Sequence, residues 1–169
     1  MLTSNLAKVL GAAAIAGATL TASYAAAETF DRTKLPGHVV TIHDDGVTKK
    51  SVLKVVEWRG ENFLKVAVLM QRSQSAVCEE CPGSRKGQPL VGMTLGSGLR
   101  YDAGKDRFVD GRILDPENGK TYWLYLEWVN ENEIKAKGSL DQGGYVGRSQ
   151  VWRPCDSACL QRAIAEAPK

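Results

Sequence analysis

Between Arg107 and Arg153 the chain holds four strand-forming runs separated by three compact turns. RFVDGRIL runs into DPENGK, TYWLYLEWV into NEN, EIKAKGSL into DQGG, and YVGRSQVWR closes the series. Parallel neighbours need a crossover of a dozen or more residues, so connections this short force antiparallel pairing. The first turn carries its own chemistry. Pro116 fixes φ early in the reversal, and Gly119 accepts a left-handed backbone. The last third of the protein is therefore a β-meander.

The first half continues the pattern. His38 to His43, Ser51 to Trp58 and Phe63 to Met70 read as strands, joined by the turns Asp44-Asp45-Gly46 and Arg59-Gly60-Glu61-Asn62. In the third run Leu64, Val66, Val68 and Met70 fall on one face, the alternation of a half-buried strand. Residues 71 to 88 break the rhythm and form the longest irregular segment. Leu90 to Leu95 reads as a fourth strand and GSGLRYDAGKD as a loop. Arg107 to Leu114, Thr121 to Val129, Glu133 to Leu140 and Tyr145 to Arg153 are strands five to eight. In the seventh, Ile134, Ala136, Gly138 and Leu140 face in. Pro154 ends the sheet, and Asp156 or Ser157 caps a short helix reaching about Ala165. Leu160, Ile164 and Ala163 supply its apolar side. Eight short strands in hairpin order predict one all-β, antiparallel, up-and-down barrel with a short C-terminal helix, whose closure removes exposed edges.

The N-terminal stretch reads as an address. Lys8 precedes an apolar run from Val9 to Ala22, and Ala25-Ala26-Ala27 fits the small-x-small cleavage rule. That run is shorter than the roughly 20 residues of a spanning helix. The expectation is a cleaved secretion signal over residues 1–27 and a single barrel domain over 28–169, periplasmic or secreted, with no membrane span after cleavage. The net charge of +3 is spread along the chain without a basic stripe, so no nucleic-acid footprint is expected.

Three ordered motifs carry a family resemblance. GRILDPENGKTY, with Gly111, Asp115, Pro116, Gly119, Lys120 and Tyr122, is similar to the central signature of the secreted bacterial family known as domain of unknown function 2147. Gly147-Arg148-Ser149-Gln150-Val151-Trp152 resembles that family's Gly-Arg-Thr-Gln-Thr-Trp close. Gln88-Pro89-Leu90-Val91-Gly92-Met93 resembles its Pro-Leu-Val-Gly strand. The resemblance covers about residues 36 to 153. It implies a lipocalin-like barrel and no established activity. Two departures stand out: Gly37-His38-Val39 lacks the tryptophan of the family's Gly-x-Trp opening, and Cys-Glu-Glu-Cys-Pro replaces its acidic Asn-Pro segment. In lipocalin-like barrels that tryptophan packs beneath an arginine of the last strand and closes one end, a part open here to Arg148.

The cysteines form two clusters, Cys78-x-x-Cys81 and Cys155-x-x-x-Cys159. In an exported chain an even count reads first as disulfides. Three pairings are open. Bridges between the clusters are favoured, because a helical Cys159 has awkward geometry toward a partner four residues back. A four-thiolate zinc site and a redox-active Cys78–Cys81 pair are the competing readings. Glu79 and Glu80 weigh against the second, since negative charge raises a thiol pKa. His38 and His43 are five apart, on opposite faces of a regular strand, and so do not share a metal. Gly96-Ser97-Gly98 lacks the setting of a nucleophile elbow. Asp115 and Glu117 sit in a turn, where carboxylates cap backbone N–H groups. No catalytic constellation, metal site or cofactor is expected.

The candidate ligand-binding residues are aromatic and basic. Tyr122, Leu124, Leu126 and Trp128 share one face of strand six, while Trp123 and Tyr125 share the other. On strand eight Val146, Arg148, Gln150 and Trp152 share a face. An internal Arg148 needs a partner, either a structural carboxylate or the acidic head of a ligand. Arg112 is a further candidate of that kind. The leading expectation is a binding module for a small apolar or amphipathic ligand, with Arg112, Tyr122, Trp128, Arg148 and Trp152 as its contacts. An envelope interaction protein with a filled barrel and a thiol oxidoreductase using Cys78 and Cys81 are the alternatives.

Overall fold

In a computed structural model, residues 30–169 are described. The expected secretion signal over residues 1–27 lies outside them. Eight strands run in chain order: β1 (His38–Ile42), β2 (Lys49–Trp58), β3 (Glu61–Leu69), β4 (Thr94–Asp102), β5 (Arg107–Leu114), β6 (Thr121–Asn130), β7 (Glu133–Ser139) and β8 (Gly147–Pro154). Each pairs antiparallel with its neighbours, and β1 pairs with β8 through Val39–Pro154, Val40–Arg153 and Thr41–Trp152. The sheet is thus a closed up-and-down barrel. The helix α1 (Ser157–Glu166) follows β8.

The lower lumen is solid. Leu64, Leu99, Phe108, Leu126 and Ile134 are almost wholly excluded from solvent there. Each side chain so buried contributes about 1.5–3 kcal/mol of transfer free energy. Two glycines make room for them. A Cβ at Gly96 would stand 2.7 Å from Leu64 Cδ1, and one at Gly111 would stand 2.6 Å from Leu99 Cδ2. These close approaches explain why GSGLR, which reads as a loop, is instead the middle of β4. Glycine in a strand interior marks such a contact. The run Leu90–Leu95, expected as the fourth strand, is the end of the β3–β4 connection, and only Thr94 onward joins the sheet.

A bulge divides β3 between two cores. Val52 pairs with Val68, but Leu53 pairs with Val66, so one residue of β3 is left over. Because strand faces alternate residue by residue, the extra residue inverts everything after it. Leu64 and Val66 face the lumen, whereas Val68 and Met70 face outward, against the single-face expectation. There they meet Val40, Ile42 and Val52 beneath α1. Asp156 caps this helix by accepting from the Cys159 backbone N–H at 2.7 Å. Leu160, Ala163 and Ala167 form its packed side, while Ile164, expected among them, is 54% exposed. Leu140, expected to face in, lies past the end of β7 and is likewise exposed.

Candidate functional site: a one-ended cavity in the barrel

The two ends of the barrel differ. At one end lie the β2–β3, β4–β5 and β6–β7 turns together with the segment preceding β1. Trp128, near the end of β6, plugs this opening. Its indole Nε1 donates to the Lys34 carbonyl oxygen at 3.1 Å, and Phe30 packs edge-on against its ring at 4.8 Å. Arg32 donates to the Trp128 carbonyl oxygen at 2.8 Å and reaches Asp106 at 3.2 Å. The end-closing tryptophan missing from the N-terminal motif is thus supplied by β6. Trp128 seals the barrel and does not reach the cavity.

The other end is open. A cavity of about 220 Å³ enters the upper lumen there. Its apolar wall includes Leu53, Val66, Leu90, Leu114, Leu124 and Ala136. Tyr122, Arg148 and Trp152 also line it, so three of the five candidates read from the sequence come together. Arg112 does not join them. It lies on the outer surface, with its guanidinium 4.3 Å above the Trp123 ring.

One side of the cavity carries a run of polar groups. Ser51 on β2, Thr41 on β1, and Gln150 and Trp152 on β8 occupy adjacent strands. Thr41 and Ser51 hydroxyls pair at 2.8 Å. Trp152 is 3% exposed, and its indole Nε1 is buried with no hydrogen-bond partner among the described residues.

Charge sits at the rim. Arg148 is an exposed side chain that reaches Asp44 at 3.0 Å, not a buried arginine. Gln150 donates to the same carboxylate at 2.7 Å. The Gln150 hydrogen bond and the Arg148 charge together hold Asp44 below the usual carboxylate range. Lys50 meets Glu117 at 2.9 Å and lowers its pKa by hydrogen bonding. These two residues come from β2 and the β5–β6 turn, on opposite sides of an eight-strand cylinder, so the pair spans the mouth. Arg72 lines the opening as well, and no described carboxylate lies within ion-pair distance of it. Lys50 and Arg72 were not singled out in the sequence. Lys50 sits at a strand start and Arg72 in an irregular loop, and only the closed barrel places them together.

The cysteines pair locally, Cys78 with Cys81 and Cys155 with Cys159. This overturns the expected bridges between clusters, and the reason is topological. Cys78 lies at the open end, its sulfur 3.8 Å from the Pro116 carbonyl oxygen. Cys155 follows β8 at the plugged end and donates its backbone N–H to His38. The length of a strand separates the two clusters, which also leaves no four-cysteine zinc site. The awkwardness foreseen for Cys159 disappears because Cys155 precedes the helix in an extended segment, leaving the two Cα atoms 5.2 Å apart. Cys78 and Cys81 are 1% and 2% exposed, so their sulfurs are shielded from any thiol substrate.

The Cys78–Cys81 loop is seated on the family-signature turn. Asp115 accepts from the Glu117 backbone N–H at 2.9 Å and from Asn118 Nδ2 at 2.9 Å. Gly119 has φ +69°, and a Cβ there would run into the Glu80 carbonyl oxygen. Leu90, just after this loop, is 1% exposed and forms part of the cavity wall. The irregular connection is therefore an ordered part of the rim.

A closed eight-strand up-and-down barrel, plugged at one end and hollow at the other, is the lipocalin type of architecture. A solved structure agrees: the one described as "Protein HP1028 from the human pathogen Helicobacter pylori belongs to the lipocalin family" superimposes with a TM-score of 0.68 at 19% identity, covering 78% of this chain and 90% of that one. At that identity the likeness concerns the fold. The chain belongs to the bacterial family described as "Uncharacterized protein conserved in bacteria (DUF2147)", whose model matches residues 25–153. No curated protein matches it.

Proposed function

We propose that this protein is an exported binding module that holds a small apolar or amphipathic molecule in the upper lumen of its barrel. The carrying observation is the cavity: about 220 Å³ of space, with leucine, valine, isoleucine and alanine forming its apolar wall, opening at one end of an otherwise filled barrel. An apolar cavity of about 150 Å³ already accommodates benzene, whereas drug-sized ligands take about 300–1,000 Å³. The ligand is accordingly a single ring or one short acyl chain. Tyr122 and Trp152 contact its body. Arg148, with Lys50 and Arg72, receives any anionic group left at the mouth. Two disulfides suit an oxidising compartment, and the Lys8 to Ala27 segment suits export to it.

Native mass spectrometry of protein taken from its own bacterium tests this reading. The expected result is a retained small molecule, absent from a Gly138→Leu variant. A Cβ at Gly138 meets only Tyr122 Cβ, at 4.0 Å, so the leucine extends into the cavity without a backbone clash. Identical mass for the folded protein before and after denaturation, together with no uptake of added ring compounds, would overturn it. Cell fractionation with N-terminal sequencing tests the address. A mature chain starting at Glu28 in the periplasm or medium is expected, and an intact Met1 in the cytoplasm would contradict it.

A further inference from the structure

We propose that the cavity selects a ligand bearing an oxygen acceptor on its buried portion, and that the Trp152 indole N–H is the group that recognises it. The inference rests on the binding role proposed above and specifies the ligand's chemistry. Three observations support it. Trp152 is 3% exposed, it is one of the residues lining the cavity, and its Nε1 has no acceptor among the described residues. A buried indole N–H normally finds a partner, and a donor left unpaired costs on the order of 1–3 kcal/mol. The contrast with Trp128 is informative, since that indole is satisfied by the Lys34 carbonyl.

The surroundings repeat the message. Thr41, Ser51 and Gln150 place polar side chains beside Trp152 on the β2–β1–β8 side of the cavity, where Thr41 is the register partner of Trp152. Ser51 neighbours Thr41 and Gln150 lies one turn of the pleat above Trp152, while the facing wall of Leu95, Ile113 and Leu124 is apolar. A plain hydrocarbon would satisfy the apolar wall and leave the indole unpaired. A ketone, ester or ether of the same shape satisfies both sides. Sites built around a polar group reject an analogue that lacks the matching atom, because the buried protein group is then left unpaired. Trp152 is therefore a specificity-determining residue, and the occupant class is a small neutral or anionic molecule with an internal carbonyl or ether oxygen.

Acetophenone and ethylbenzene form a matched pair for the test, alike in size and differing in a carbonyl in place of a methylene. The full mature chain, 15N-labelled, gives an indole N–H resonance for each of its four tryptophans, with Trp152 assigned by its loss in Trp152→Phe. Acetophenone is expected to move the Trp152 resonance downfield and to bind roughly tenfold more tightly than ethylbenzene. Trp152→Phe is expected to bring the ratio of the two affinities to about one. Should Trp152→Phe fail to fold, the comparison of the two compounds on the wild-type resonance still decides. Equal affinities with an unmoved Trp152 resonance would overturn the inference while leaving the binding role intact. Absence of binding by either compound would overturn both.

Discussion

Trp128 Nε1 and the Lys34 carbonyl oxygen, 94 residues apart in the chain, meet at 3.1 Å and fasten the segment preceding β1 across the floor of the barrel. The same indole fills the opening and ties down the strap that covers it. Trp128→Phe keeps most of the packing and loses the hydrogen bond. It is expected to lower unfolding free energy by about 1 kcal/mol. Trp128→Ala empties the floor and is expected to cost about 3–5 kcal/mol. Urea denaturation reads both. Ring-compound binding to the folded Phe variant is expected to be unchanged, because the cavity lies at the other end.

Gly119 and Glu80 form a second contact between distant motifs. Gly119→Ala introduces strain at φ +69° and a clash with the Glu80 carbonyl. A loss of about 1–3 kcal/mol is expected, together with faster amide exchange in residues 76–90. Exchange confined to the 115–120 turn would show that the loop is not seated there.

The ion pair across the mouth has a different signature. Lys50 and Glu117 are partly exposed, and such pairs are worth about 0–1 kcal/mol. Glu117→Gln is therefore expected to leave the thermal midpoint almost unmoved. Its effect is on access: removing the bar raises the association rate of acetophenone several-fold in stopped-flow measurements. Added salt should narrow the difference between variant and wild type.

Acid stability follows from the turn carboxylates. Asp141 accepts from the backbone N–H groups of Tyr145 at 3.0 Å and Val146 at 2.7 Å, which lowers its pKa from 3.8 to about 2. Asp45 is lowered to about 2, chiefly by Thr48. A carboxyl depressed in the folded state stabilises fully above its unfolded value and loses that contribution as pH falls through the folded one. Between pH 4 and pH 2 the thermal midpoint should thus fall, and it should fall less steeply in Asp141→Asn than in wild type. Parallel curves for the two proteins would contradict this assignment.

Much of the fold was legible because it rests on local chemistry. Turns such as Asp44-Asp45-Gly46 and Asp115–Gly119 announce themselves, and alternation along β7 fixes a face. The errors occur where a distant partner decides. Gly96 reads as a loop residue until Leu64 is seen packed over it. Val68 and Met70 read as lumen residues until the bulge opposite Val52 turns them toward α1. The cysteine pairing depends on which end of the barrel each cluster occupies, which spacing does not encode. At the site, Tyr122, Arg148 and Trp152 lay on readable strand faces. Depth along the barrel was not readable, so Trp128 at the floor was grouped with them. Arg112 was grouped with them too, although pairing with Trp123 puts it on the outward face.

The account depends on the upper lumen being open apolar space. Crystals pressurised with xenon test this directly, since xenon binds in apolar space. A xenon site bounded by Leu53, Leu114, Leu124 and Ala136 is expected, and it should vanish in Gly138→Leu. A barrel that takes up no xenon at this position, in wild type and variant alike, would contradict the account.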